Sequence, residues 1–203
     1  MMMTLGGIAQ ARTMRQMFNL MPDSVLPILT RINRLDMFDF MDSGMDAQVT
    51  NRLGGVTRMT SLSQTTLTLQ YTNNTDITMH LFFRRDTIPV VCVIRTVQSG
   101  IEDSRIDFYD DTWNHLETRR IIREPLFKDY LDRQYLKSDS LQMFRDRCSL
   151  MSRKVTVSED GKGLVFKFTG TDYLGQEAGL FSRFVGPEGI RYAWNGRRLR
   201  RIR

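Results

Sequence analysis

Cysteine, histidine and long hydrophobic runs are all scarce in this chain of 203 residues, and each scarcity excludes a class of protein. The two cysteines, Cys92 and Cys148, are too few for a disulfide framework or a zinc cluster. Because Cys92 lies in the apolar stretch 89–94, the pattern favours two buried thiols, with one disulfide as the alternative in an exported protein. No apolar run approaches the ~20 residues of a bilayer-spanning helix, so no transmembrane segment is expected.

The short motifs that hold metals, phosphates or nucleophiles are missing as well. His80 and His115 stand in unrelated contexts, without an H-x-x-x-H or cysteine–histidine spacing, so no metal site is expected. Gly54-Gly55 is followed neither by Gly-Lys-Ser/Thr nor by a helix pattern, which excludes a phosphate loop. The chain has no G-x-S-x-G elbow. We therefore predict no catalytic residue, no metal and no cofactor.

The first eleven residues carry no charged side chain, and this is the clearest indication of the compartment. Ala9-Gln10-Ala11 has the small-x-small pattern of a signal-peptidase site and is followed directly by Arg12. We interpret residues 1–11 as the remnant of a signal peptide, with a disordered N-terminus as the alternative. The protein is then soluble and exported, to the periplasm or the cell surface.

Positive charge is concentrated at the other end of the chain. The formal net charge is +6, and five arginines stand among the last seven residues, so a basic tail follows a nearly neutral body. Such a tail is suited to anionic lipid, acidic polysaccharide or nucleic acid. In an exported protein we expect no nucleic acid partner. The alternative interpretation is an edge strand whose charges prevent aggregation.

Residues 33–44 have the pattern of the helix around which the fold is predicted to form. An apolar stripe with spacings of three and four residues is typical of one helix face, and its members are Leu35, Phe38, Met41 and Met45. Asn33 is predicted to cap the start of this helix, and Gly44 to end it in a left-handed turn. A shorter helix is predicted at 13–20.

The middle of the chain alternates between apolar and polar residues, which predicts an antiparallel meander. Its strands are placed at 48–52, 57–62, 66–72, 76–84, 90–97 and 105–109. The clearest strand, 66–72, directs Leu67, Leu69 and Tyr71 toward the helix, and the mostly apolar 90–97 is predicted to be central. His80 is expected to point outward, because it alternates with the inward-facing residues of its strand.

The last third predicts a hairpin, a helix and a second hairpin. The first hairpin spans 154–158 and 163–169, the helix spans 173–184, and the second hairpin spans 190–194 and 198–202 around Asn195-Gly196. Residues 141–150 fit either a helix or a strand. The fold class is therefore α+β, with short N-terminal helices on a curved antiparallel sheet. We predict a single domain over 12–203, with 12–110 and 138–203 as possible halves.

Several phrases of the sequence resemble a family known only as a domain of unknown function in exported proteins of Bacteroidetes-type bacteria. They are NRLDMFDFMDSGM at 33–45, VTNRLGG at 49–55, VVCVIRTV at 90–97, DSRIDFYDDTW at 103–113, the tripeptide DYL, and YAWNGRRL at 192–199. The resemblance extends from about Met14 to the C-terminus. It implies export, and it implies no activity, cofactor or catalytic residue.

Two clusters of carboxylates are candidate sites. Asp36, Asp39 and Asp42 form an acidic row on the helix, which we interpret as a solvated edge rather than a cation site because no calcium-loop spacing is present. Residues 107–115 combine carboxylates and aromatic rings. They fit either a hydrolase site or a strand that ends in a turn with core anchors.

These observations favour a non-enzymatic exported protein that binds a protein, lipid or glycan. The candidate binding residues are Tyr109, Trp113, Trp194, Arg197 and Arg198. The alternative is a glycan or peptide hydrolase, which requires Asp110, Asp111 and His115 to converge in one open cleft. A third hypothesis, a structural subunit of a surface assembly, requires a large exposed apolar patch.

Overall fold

Helices and two antiparallel sheets make up the part of the chain that the computed structural model describes, which is residues 11–132, 134, 140–148, 151–186 and 188–202. The predicted α+β class is confirmed at this level. Residues 1–10, which contain most of the predicted signal peptide, lie outside the described residues. No helix among the described residues is long and apolar enough to span a bilayer.

The N-terminal helices are α1, Met14–Leu20, and α2, Arg31–Asp42. Both begin with a threonine-based capping box, because Thr13 and Thr30 each accept a hydrogen bond from the third residue of the helix. The prediction that Asn33 caps α2 is wrong. Asn33 is instead the third residue of α2, and its side chain accepts a hydrogen bond from the Thr30 amide. Gly44 adopts a φ of 68° just after α2, as a left-handed turn requires.

The buried face of α2 differs from the predicted stripe. Arg34, Met37 and Phe38 are buried, whereas Leu35 is 40% exposed. A strict three-residue spacing drifts around a helix of 3.6 residues per turn, so a mixed three-and-four spacing forms the inner face. Phe38 nevertheless belongs to the same buried core as Leu67 and Leu69 of the sheet.

The large sheet has seven strands in sequential order, each antiparallel to its neighbour. The strand at 66–72 has the predicted bounds, five others begin or end within a few residues of the predicted ones, and the short strand at 115–116 is not among those predicted. The strands are β1 Gln48–Thr50, β2 Val56–Leu62, β3 Thr66–Thr72, β4 Thr75–Arg84, β5 Ile88–Gln98, β6 Glu102–Tyr109 and β7 His115–Leu116.

Strand β5 is central because its two faces belong to two different cores. Val91 and Val93 pack with the N-terminal helices, whereas Val90, Cys92 and Ile94 pack with the C-terminal third of the chain. Side chains alternate between the faces of a strand, so a strand covered on both sides reads as a continuous apolar run.

A second sheet follows three short helices, α3 Thr118–Ile121, α4 Phe127–Tyr130 and α5 Ser140–Arg147. The sequence pattern of residues 141–150 fits either a helix or a strand, and α5 shows that 141–147 are helical. The second sheet has the order β11-β10-β9-β8. Its strands are β8 Arg153–Val157, β9 Gly163–Phe168, β10 Ile190–Trp194 and β11 Leu199–Arg201. The predicted division into halves stays a prediction.

The prediction of one continuous helix at 173–184 is wrong, because the structure has two short helices there. A 3₁₀ helix covers Asp172–Glu177 and a short α-helix, α6, covers Ala178–Ser182. Gly175 interrupts the helical backbone with a φ of 56°, a conformation that glycine adopts without a steric penalty.

The two cysteines are free and buried, Cys92 on β5 and Cys148 directly after α5. Burial raises the pKa of Cys148 to about 11, and burial also raises the pKa of Cys92. Both thiols therefore stay protonated and unreactive near neutral pH.

The prediction that His80 points into solvent is wrong. Its side chain is buried, and its Nε2 lies 2.9 Å from the carbonyl oxygen of Gly161, in the β8–β9 turn. Its Nδ1 lies 2.8 Å from the hydroxyl of Thr66. The second sheet covers the face of β4 that is turned away from the N-terminal helices. Alternation along β4 therefore buries His80 against the second sheet.

Candidate functional site

A cleft of about 480 Å³ between the α3–α4 region and the β10–β11 hairpin is lined mostly by charged residues. Among the described residues, two acidic ones line it, Glu124 and Asp129. The basic residues of this described lining are seven: Arg119, Arg120, Arg123, Lys128, Arg198, Arg200 and Arg201. This described lining has five more basic than acidic residues, whereas the formal net charge of the whole chain is +6.

One wall of this basic cleft comes from residues 118–124. Ile121 and Ile122 are both buried in the core that the two sheets share. Their burial fixes this short segment and leaves Arg119, Arg120 and Arg123 on the exposed side. In the sequence T-R-R-I-I-R, the two buried isoleucines therefore hold the segment in place, and the three arginines remain exposed.

The opposite wall is the β10–β11 hairpin. Asn195 closes its turn, because its Oδ1 accepts hydrogen bonds from the amides of Arg197 and Arg198, and Gly196 has a φ of 83°. Leu199 is buried, and Arg198 and Arg200 on either side of it are exposed. Alternation along the strand thus turns both arginines away from the core.

Two contacts tie these walls together. The Tyr192 hydroxyl donates a hydrogen bond of 2.7 Å to the carbonyl oxygen of Arg123. Arg201 forms an ion pair with Asp129, with 3.0 Å between Nη1 and Oδ1. Burial raises the pKa of Tyr192, so its hydroxyl remains a donor at physiological pH. These two contacts connect the walls of the cleft.

The cations of the cleft fall into two groups. Arg119 and Arg120 share Glu117, Arg201 pairs with Asp129, and Glu124 pairs with Arg153 from outside the cleft. Among the described residues, no anionic partner is found for the remaining four, which we call the unpaired cations: Arg123, Lys128, Arg198 and Arg200.

The 107–115 cluster has a different organisation. The Asp107 carboxylate is nearly buried and accepts hydrogen bonds from Arg95 and Arg105. His115 approaches Asp107 with 3.6 Å between Nε2 and Oδ1, and both residues line a second cleft of about 430 Å³. Asp107 thus joins three neighbouring strands, since Arg95 lies on β5 and His115 on β7.

Asp110 is a turn residue. Burial opposes its ionisation, but hydrogen bonds from the side chains and amides of Asn114 and Thr112 lower its pKa overall. A carboxylate held in the ionised form cannot serve as a general acid near neutral pH. Neither Asp110 nor Asp111, both described residues, is part of the lining of the cleft that contains His115. The convergence that the hydrolase hypothesis requires is not found among these residues.

The five predicted binding residues lie in different environments. Trp113 is buried and donates a hydrogen bond to the carbonyl oxygen of Met17, and Tyr109 packs against its ring. Trp194 is half-buried, stacks on Phe82 and donates to the carbonyl oxygen of Phe83. Arg198 lines the basic cleft. Arg197 is exposed at the turn of the hairpin, outside the lining.

Sequence reasoning missed the upstream half of the basic cleft. The only signal for it is the local density of cations at Arg119, Arg120 and Arg123 within an irregular segment. Nothing in the sequence alone joins that segment to the tail. As for metals, the described residues contain no group of three His, Cys, Asp or Glu side chains placed to hold an ion.

Comparisons with known proteins extend over nearly the whole chain. Residues 8–199 match the model of the family described as "Protein of unknown function (DUF3256)". The chain is also similar to a solved domain of an uncharacterized protein from Porphyromonas gingivalis W83, with 28% identity and a TM-score of 0.82. That similarity covers 95% of this chain and 100% of the solved one. No curated protein matches the chain significantly.

Proposed function

We propose a binding function for this chain, which belongs to the family described as Protein of unknown function (DUF3256). The protein is non-enzymatic and exported, and it holds an anionic ligand of the cell envelope in the basic cleft. The sheet faces are not the binding surface in this proposal, since both faces of β5 are covered by cores.

One observation supports the proposal most directly. Two basic segments that are far apart in the sequence, 119–128 and 198–201, line the same cleft from opposite sides. Protection of a sheet edge explains arginines on the edge strand β11, but it does not explain the cations on the α3–α4 wall. A site for a negatively charged group explains both.

The energetics point the same way. Opposite charges a few ångströms apart attract by about 1 kcal/mol even in water, and by more where the protein excludes water. An anion that enters the cleft is therefore attracted by four cations that have no anionic partner among the described residues. Solubility alone does not require that the charges face each other.

The experiment is a calorimetric titration with three classes of anion: inorganic phosphates, an acidic polysaccharide and vesicles of anionic phospholipid. We expect at least one class to bind with a stoichiometry of one site per chain and to weaken as salt is added. The double variant Arg123→Glu/Arg200→Glu should abolish binding. The matched control Arg31→Glu changes an exposed arginine of α2 outside the cleft lining and should bind like the parent. If no anion of any class binds, the proposal is wrong.

Export has its own support and its own test. Residues 1–11 are uncharged and end in Ala9-Gln10-Ala11. The intact mass of the protein purified from the native bacterium should correspond to a chain that begins at Arg12, recovered from the envelope fraction. Recovery of a chain that retains residues 1–11 in the cytosolic fraction would contradict export.

A further inference from the structure

We infer that the group bound in the basic cleft is a phosphate, an assignment that rests on the proposed function and narrows it to one ligand chemistry. The ligand is a small phosphorylated molecule or a phosphate-bearing lipid headgroup. Both sources present the same chemistry to the cleft.

The first argument is the direction from which the cations approach. The unpaired cations come from three separate elements: Arg123 from the connection after α3, Lys128 from α4, and Arg198 and Arg200 from the hairpin. A carboxylate offers two oxygens in one plane. A phosphate monoester offers three oxygens arranged tetrahedrally, so it can accept hydrogen bonds from several sides at once.

The second argument is charge. A phosphate monoester carries close to two negative charges at neutral pH, whereas a carboxylate or a sulfate ester carries one. With the anions of the cleft already paired to Arg201 and Arg153, the four unpaired cations require a ligand of high charge density. Three of the four are arginines, whose planar fork binds phosphate oxygens in pairs, and Lys128 adds a point charge.

The third argument is the surface of the lining. Its one aromatic residue among those described, Tyr192, is 5% exposed, and Ile121, Ile122 and Leu199 are also buried. The cleft therefore has no ring on which a nucleobase could stack and no exposed apolar floor for an acyl chain. The anionic group itself is what this cleft can recognise.

The test is isothermal titration of the full chain with inorganic pyrophosphate and with citrate, two compact anions of comparable charge near neutral pH. We expect one pyrophosphate site per chain, with an affinity at least about tenfold higher than that for citrate. Equal or tighter binding of citrate overturns the phosphate assignment and leaves the anion-binding function standing. Failure of both anions and of every anion class named above overturns both.

Single variants locate the site. Arg123→Glu and Arg200→Glu should each weaken pyrophosphate binding by about tenfold or more, because each removes a charge-assisted contact and adds a repulsion. Arg197→Glu changes the same hairpin outside the cleft lining and should stay within about twofold. Because the three side chains are exposed, thermal melts should be unchanged. If the Arg197→Glu variant loses affinity as much as the other two, the assignment to the cleft is wrong.

A last arm separates the two sources of phosphate. Vesicles of phosphatidylcholine that contain phosphatidic acid present a monoester headgroup, whereas vesicles with phosphatidylserine present a diester and a carboxylate. Binding to the former and not the latter supports the assignment and identifies a lipid headgroup. Pyrophosphate binding without vesicle binding supports it and identifies a soluble ligand. Equal binding to both vesicles contradicts recognition of the monoester.

Discussion

The arginine inside the N-terminal core and the arginines of the basic cleft use the same side chain in opposite ways. Arg34 is 1% exposed and donates to the Asp23 carboxylate and to the carbonyl oxygens of Leu29 and Met21. Burial lowers the pKa of Arg34, and the pairing with Asp23 opposes that shift. In the cleft, Arg123 and Arg200 are exposed and no described residue pairs with them.

The buried arginine is therefore expected to affect the stability of the fold, and the exposed arginines are expected to affect ligand binding. The Nη donors of Arg34 are used inside the protein, so this cation cannot bind a ligand, whereas an exposed unpaired cation contributes little to stability and is available. The hydrogen bonds that Arg34 donates also hold residues 21–29 against α2. Substitutions in the two regions should therefore change different measurements.

The largest effect is expected from Arg34→Ala. The substitution leaves the carbonyl oxygens of Met21 and Leu29 without their donor and opens a cavity beside Phe18, so the free energy of unfolding should fall by about 3 kcal/mol. Urea denaturation measures this change, while anion affinity should not change in the folded protein. Arg31→Ala, on the exposed side of the same helix, should cost less than about 0.5 kcal/mol. Equal costs for the two variants would contradict the structural role of Arg34.

Gly163→Ala should change both measurements. A Cβ at this position would lie 1.8 Å from the carbonyl oxygen of Tyr192, so β9 and β10 must separate. We expect a loss of about 2 kcal/mol in stability. Anion affinity should also fall, because β10 carries the hairpin wall of the cleft. Unchanged affinity in a destabilised variant would show that the hairpin does not need β9 to form the site. The control Gly179→Ala, where an added Cβ meets nothing, should leave affinity unchanged.

His80 should make stability depend on pH at the contact between the sheets. Burial lowers its pKa in the folded protein below the ordinary 6.5, so the unfolded chain takes up the proton first as the pH falls. The stabilisation is full above pH 6.5 and is lost as the pH falls through the folded-state pKa. Denaturation at several pH values measures it. The variant His80→Gln should flatten the profile between pH 7 and pH 5, and an unchanged slope would exclude His80 as the cause.

Tyr192→Phe is expected to have the smallest effect. It removes the single hydrogen bond from the hairpin to the carbonyl oxygen of Arg123, which is worth about 1 kcal/mol or less. Stability should change little, and anion affinity should fall a few-fold as the two walls move more freely. Calorimetry on the folded variant measures the second change. A loss as large as that of Arg123→Glu would show that the hydroxyl contacts the ligand itself.

The sequence predicts the meander well and its contacts less well. Local alternation defines β3 and the Asn195-Gly196 hairpin, because strand and turn signals are contained within a few residues. The outward prediction for His80 is wrong because it assumes that only one face of the sheet is covered. Which face a second sheet covers depends on residues near Gly161, far along the chain, and alternation alone does not carry that information.

Only one of the two walls of the candidate site can be predicted from the sequence. The tail is visible as a run of arginines, and Arg198 from it lines the cleft. The cations of 119–128 lie in an irregular segment whose position is set by the burial of Ile121 and Ile122. Convergence of two distant segments is a tertiary property, so the sequence indicates a basic tail where the structure has a basic cleft.

The central claim, that two distant basic segments form one anion site, is tested most directly by NMR titration of the backbone amides with pyrophosphate. The account predicts that amides in 119–128 and in 192–201 shift together and fit one dissociation constant, while those around Arg34 stay unchanged. Shifts confined to one of the two segments, or scattered over the exposed arginines of the whole surface, would contradict it.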